Sequence, residues 1–131
     1  MKKIIIPILF IGILSLFACQ AKTKDLTFVG EGDQWSAVLT VNQNAGDEKY
    51  QIQLSYKGDK REEIKAFSYN AVINDYGMGF GANDATLNKE NKYQNKSFGS
   101  NSPSTSKEDE PVIEVEWNNK SESFTLLNKN M

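Results

Sequence analysis

One thiol, no imidazole and seventeen carboxylates make up the reactive inventory of this 131-residue chain. The thiol, Cys19, lies at the end of an apolar run. The lack of histidine removes the commonest general base near neutral pH and the commonest transition-metal ligand. Glu108-Asp109-Glu110 is the one run of three carboxylates. Neighbours on an extended chain point opposite ways, so the three do not converge on one ion, and no DxDxDG loop is present. They read as a solvated charge run, and no metal or cofactor is expected. Ser104-x-x-Lys107 has the SxxK spacing of serine acylases. That chemistry needs the serine at the start of a buried helix, with SDN and KTG partners; these four residues sit in a polar stretch without them. Gly77-x-Gly79-x-Gly81 lacks the spacing of either phosphate-binding loop and is followed by no helical pattern. It reads as a bend or bulge in a sheet. No catalytic constellation emerges, and the chain is expected not to be an enzyme. The alternative is hydrolysis of envelope polymer by a pair of carboxylates, although the local sequence singles out no pair.

The cysteine has a more specific setting. Lys2 and Lys3 precede a run from Ile4 to Ala18 that is apolar except for Ser15 and is interrupted by Pro7 and Gly12. Spanning a bilayer takes about 20 apolar residues. The shorter, broken run reads as an export signal. Leu16-Phe17-Ala18-Cys19 resembles the lipobox of bacterial lipoproteins, with Phe17 standing where a small residue is usual. The resemblance implies a diacylglyceryl group on the Cys19 thiol and cleavage before Cys19. Each buried methylene contributes about 0.8 kcal/mol, so two chains make a long-lived anchor where one holds only marginally. The expected organisation is a signal peptide over 1–18, a polar tether over 19–25 and one domain over 26–131. Its expected location is the extracytoplasmic face of the cell membrane. With the one thiol lipidated no disulfide forms, and the domain must be held by core packing, which a chain of this size can supply.

The elements that must carry any site read in period two. Leu26 to Val29 forms a short strand, stopped by Gly30-Glu31-Gly32-Asp33. Trp35, Ala37, Leu39 and Val41 share one face of the next strand. Asn42 to Asp47 reads as a hairpin loop. Tyr50, Ile52, Leu54 and Tyr56 alternate with polar residues, and Lys57-Gly58-Asp59-Lys60 turns the chain. Phe67, Tyr69, Ala71 and Ile73 line a run from Ile64 to Ile73. Ile113, Val115 and Trp117 alternate with glutamates, Asn118 to Ser121 turns, and Phe124 and Leu126 return. Leu87, Tyr93 and Phe98 mark one or two weak strands in a polar middle region. No helical period follows residue 19. The pattern predicts an all-β fold, a single antiparallel β-sandwich, with the immunoglobulin-like form as one realisation.

Trp35 and Trp117 fall in phase with aliphatic neighbours and are expected in the core. Tyr76 and Phe80 flank the glycine stretch, where aromatic tips on a loop would suit a protein or glycan partner. A net charge of −2 without a basic stripe argues against nucleic acid.

Phe28-x-Gly30-Glu31-x-x-x-Trp35, together with the hairpin from Val112 to Leu126 that contains Trp117-Asn118-x-Lys120-x-Glu122, resembles small lipoproteins of Bacillus-type bacteria. Gly32 and Asn119 stand where those chains tend to carry serine and glycine. The resemblance implies a compact β-sandwich and confers no activity. The function expected is a non-catalytic binding or accessory module of the cell envelope. A purely structural surface lipoprotein is a further alternative.

Overall fold

The structure, a computed structural model, describes residues 23–44, 46–59, 63–74, 79–100 and 105–130. Nine strands are present among them: β1 (Thr23–Glu31), β2 (Trp35–Asn44), β3 (Asp47–Tyr56), β4 (Phe67–Val72), β5 (Gly79–Ala85), β6 (Lys92–Ser100), β7 (Val112–Trp117), β8 (Lys120–Thr125) and β9 (Leu127–Asn128). They form two antiparallel sheets, ordered β6-β3-β2-β1-β9 and β5-β4-β7-β8. The fold is a β-sandwich, and no described residue is helical.

The connections interlock. β3 pairs with β6 in one sheet, while their successors β4 and β7 pair in the other. Strands B–E and C–F of an immunoglobulin sandwich are related in this way. Here β5 extends the second sheet beyond β4, and β1 and β9 extend the first beyond β2.

The alternation read from the sequence is the alternation of burial. Trp35, Ala37, Leu39 and Val41 face inward from β2, as do Tyr50, Ile52, Leu54 and Tyr56 from β3. Phe67, Tyr69, Ala71 and Ile73 answer them across the interior, with Ile113, Val115 and Trp117. An aromatic seam joins the sheets. Trp35 meets Phe67 and Trp117 at ring-centroid separations of 5.0 and 5.6 Å. Tyr93 packs edge-on to Phe67 at 5.5 Å. Edge and tilted contacts of this kind contribute about 0.5–1.5 kcal/mol each beyond the area they bury. No core residue among those described is a cysteine.

Several boundaries differ from the sequence reading. β1 begins at Thr23, so the last three residues of the expected tether belong to a strand. The expected loop from Asn42 to Asp47 shrinks to a tight turn, because β2 runs to Asn44 and β3 resumes at Asp47. The run from Ile64 is strand only from Phe67 to Val72. Gly79 and Gly81 lie within β5, opposite Val72 and Asn70. A Cβ on either glycine would strike a carbonyl oxygen of β4, that of Ala71 or Tyr69. The two glycines therefore permit close backbone approach, and the irregularity of this pair lies further along, between Phe67 and Tyr69.

Candidate functional site

A broad, open groove lies on the outer face of the β5-β4-β7-β8 sheet, and strand register builds it. Ser68 on β4 pairs with Glu116 on β7, which pairs with Ser121 on β8. All three are outward members of strands whose inward members fill the core, so they form a polar row across three strands. The next outward row is Asn70, Glu114 and Ser123.

Two local devices close the ends of the first row. At β5 the register shifts: Phe67 pairs with Ala85 but Tyr69 with Ala82, so Asn83 and Asp84 together stand opposite Ser68. Asp84 is held at φ 55°, in the left-handed region. A bulge of this kind re-aims side chains, and such bulges are frequent beside binding sites. At β7–β8 the chain reverses through Asn118 and Asn119, at φ 46° and 60°. Positive φ at both central residues defines the hairpin turn that asparagine and glycine tolerate best. The Asn118 amide donates to the Glu63 carbonyl at 3.1 Å, tying the turn to the β3–β4 connection.

The resulting groove has a volume of about 490 Å³ and is lined by Ser68, Asp84, Glu116, Asn119, Lys120 and Ser121. Phe67 and Trp117 also border it, with their side chains turned into the core. A smaller hollow of about 160 Å³ continues it past Asn70, Asn83 and Glu114 and shares Ser68 and Glu116 with it. Together they make a strip of hydroxyl, amide and carboxylate groups running along the sheet.

A second polar cluster lies at the opposite end of the sandwich. Glu48 is fully buried at the start of β3. Its carboxylate accepts hydrogen bonds from Gln43 Nε2 at 2.7 Å, Thr105 Oγ1 at 2.8 Å, the Thr105 N–H at 3.2 Å and the Tyr50 hydroxyl. Gln43 Nε2 also donates to the Thr105 carbonyl at 2.9 Å. Burial pushes the Glu48 carboxyl up, but the donors from Tyr50, Gln43 and Thr105 outweigh it and hold the group below the usual carboxylate range. Burial, and then the hydrogen bond to the Glu48 carboxylate and its charge, push the Tyr50 phenol well above its ordinary value. With the Glu48 oxygens accepting from neutral donors, the cluster serves to tie the β6–β7 connection at Thr105 to β3.

The residues singled out by sequence fall in three places. Cys19, the rest of the lipobox (Leu16, Phe17, Ala18), Tyr76 and Ser104 lie outside the described residues. Phe80 is half-buried, with its ring stacked on Tyr50 at 5.7 Å and edge-on to Tyr69 at 6.3 Å, so it takes part in the seam between the sheets. Of the acidic triplet, Glu108 accepts from the Ser106 hydroxyl, Asp109 accepts from the Ser106 N–H at 2.8 Å, and Glu110 is exposed. No group of three metal-ligating side chains gathers among the described residues. Sequence reading missed the groove because its members come from three strands and a bulge, and only their register unites them. No protein-family model matches the chain, and no curated protein or solved structure matches it.

Proposed function

We propose that this chain is a lipid-anchored, extracytoplasmic binding module of the cell envelope, held by a diacylglyceryl group on Cys19 and acting without catalysis. The observation that carries the reading is the position of β1. It starts at Thr23, four residues after Cys19. Four extended residues reach about 14 Å at most. An anchor at Cys19 therefore keeps the Thr23 end of the sandwich against the membrane.

The groove lies at the other end. Thr23 pairs with Asn44, beside the β2–β3 turn. Trp35 and Tyr56 mark the far end of the same sheet, and Trp117 beneath the groove packs against both, at 5.6 and 6.4 Å. Nine strand residues at about 3.4 Å each separate the two ends by about 30 Å. A module built this way presents its polar groove outward. The test is metabolic labelling with a fatty-acid analogue in cells making the wild type or Cys19→Ser. Label on the wild type alone supports the anchor; label on both or on neither contradicts it.

One observation favours a second reading. Asp84 and Glu116 line the same groove, and paired carboxylates flanking a polymer are the machinery of glycoside hydrolysis. Incubation with purified cell-wall polymer separates the two readings. Release of reducing ends by the wild type and not by Glu116→Gln makes the protein an enzyme.

A further inference from the structure

We propose that the outward groove binds a neutral, hydroxyl-rich glycan strand, with Glu116 and Asn119 as its principal hydrogen-bonding contacts. The inference rests on the reading of the chain as an envelope binding module and names the ligand class of its groove.

Three features select that class. The first is shape. The main groove and its smaller continuation share Ser68 and Glu116, so the concavity is elongated along the sheet and open to solvent. An extended polymer fits such a strip better than a compact metabolite, which a deep apolar pocket would bury. The second is the donor and acceptor set. Carboxylates from Asp84 and Glu116, amides from Asn83 and Asn119, and hydroxyls from Ser68 and Ser121 line the strip. Carboxylates accept and amides both donate and accept, so adjacent members can engage neighbouring ring hydroxyls in pairs. The third is what the lining lacks. The large apolar residues exposed among those described, Val38, Val72, Val112 and Leu127, all lie elsewhere. A peptide partner anchored by aromatic or aliphatic side chains finds no apolar socket in the strip.

Charge narrows the class further. Asp84, Glu114 and Glu116 face the strip, with Lys120 the one cation among its described lining residues. Polyanions such as phosphate-bearing wall polymers or nucleic acid meet net repulsion there. A neutral sugar chain does not.

The supporting geometry is rigid. Ser68, Glu116 and Ser121 stand on paired strands, the bulge fixes Asn83 and Asp84, and the Asn118–Asn119 turn is tied to Glu63. A preformed site loses little freedom on binding.

The test uses the chain as purified from cells, titrated calorimetrically with a tetramer of N-acetylglucosamine and, separately, with polyphosphate. The expected result is saturable binding of the tetramer and none of polyphosphate. Glu116→Gln keeps the shape of an exposed side chain and removes its charge. Asn119→Gly keeps the turn and removes the amide. Each is expected to weaken the tetramer at least tenfold, whereas Gln53→Ala, on the outer face of the other sheet, leaves it unchanged. Circular dichroism shows whether each variant is folded. Absence of tetramer binding, equal binding by all variants, or preference for polyphosphate overturns the proposal. Fatty-acid labelling reports on the anchor independently, so a groove that binds on an unlabelled chain refutes the anchor and leaves the glycan site standing. A labelled chain that binds nothing does the reverse.

Discussion

The Glu122 carboxylate on β8 accepts the main-chain N–H of Trp35 on β2 at 3.0 Å, across 87 residues of sequence. The same carboxylate takes the Gln34 N–H at 3.0 and 3.2 Å. A side chain of one sheet thereby satisfies two donors at the turn that opens the other. Gly32 makes room for it, since a Cβ there would collide with the Glu122 carboxylate. The segment from Phe28 to Trp35 and the hairpin from Val112 to Leu126 meet at this contact, and their tryptophans meet beneath it at 5.6 Å.

Removing this staple should be costly. Hydrogen bonds to a charged acceptor contribute about 1.5–3 kcal/mol, and a stranded donor adds its own penalty. Glu122→Ala is expected to lower stability by about 2–3 kcal/mol, read as a drop in urea midpoint at unchanged slope. Gly32→Ala acts on the same contact, so the double variant should lose less than the sum of the single losses.

Glu48 gives the fold an acid-sensitive component. Its native carboxyl titrates below the ordinary value of 4.5. The unfolded chain therefore takes up this proton first as pH falls, and stability declines with it. The contribution is complete above about pH 5.5 and is lost as pH falls through the native value. Glu48→Gln should be less stable at pH 7 but lose less on going from pH 7 to pH 4 than the wild type does. Glu48→Ala, which strands the donors of Tyr50, Gln43 and Thr105, should cost about 2–4 kcal/mol at pH 7. Denaturant titrations at the two pH values check both.

The Asn118–Asn119 turn can be improved. With φ at 60°, Asn119 occupies a conformation glycine enters freely. Asn119→Gly should leave the melting temperature unchanged or raise it by a few degrees. Asn119→Val, β-branched at positive φ, should cost about 1–2 kcal/mol.

Gly30 and Gly46 provide a contrast between space and backbone conformation. A Cβ on Gly30 would meet the Thr125 carbonyl and the Leu126 side chain, whereas around Gly46 the space is open and φ is 92°. Gly46→Ala should cost about 1 kcal/mol from conformation alone. Gly30→Ala should cost more, because backbone must shift. Thermal melts of the two variants rank them.

Much of the fold was legible because inward rows such as Trp35 to Val41 and Ile113 to Trp117 pair large apolar residues with polar alternates. β5 was not, since its sequence GFGANDA places glycines where a strand normally shows side chains. Glu48 was unreadable for a different reason. A carboxylate beside Asp47 at a turn looks solvated until Thr105, 57 residues away, closes over it. The groove was equally hidden: Ser68, Glu116 and Ser121 are unremarkable singly and become a site only through register.

β1 has β9 as its outer neighbour, Phe28 beside Asn128 and Val29 beside Leu127. The sheet that begins the domain is therefore completed by residues made a hundred positions later. Closing so long a loop is slow beside forming the local β1–β2 hairpin. Docking of this two-residue strand is therefore expected late in folding, after the β1–β2–β3 hairpins have formed.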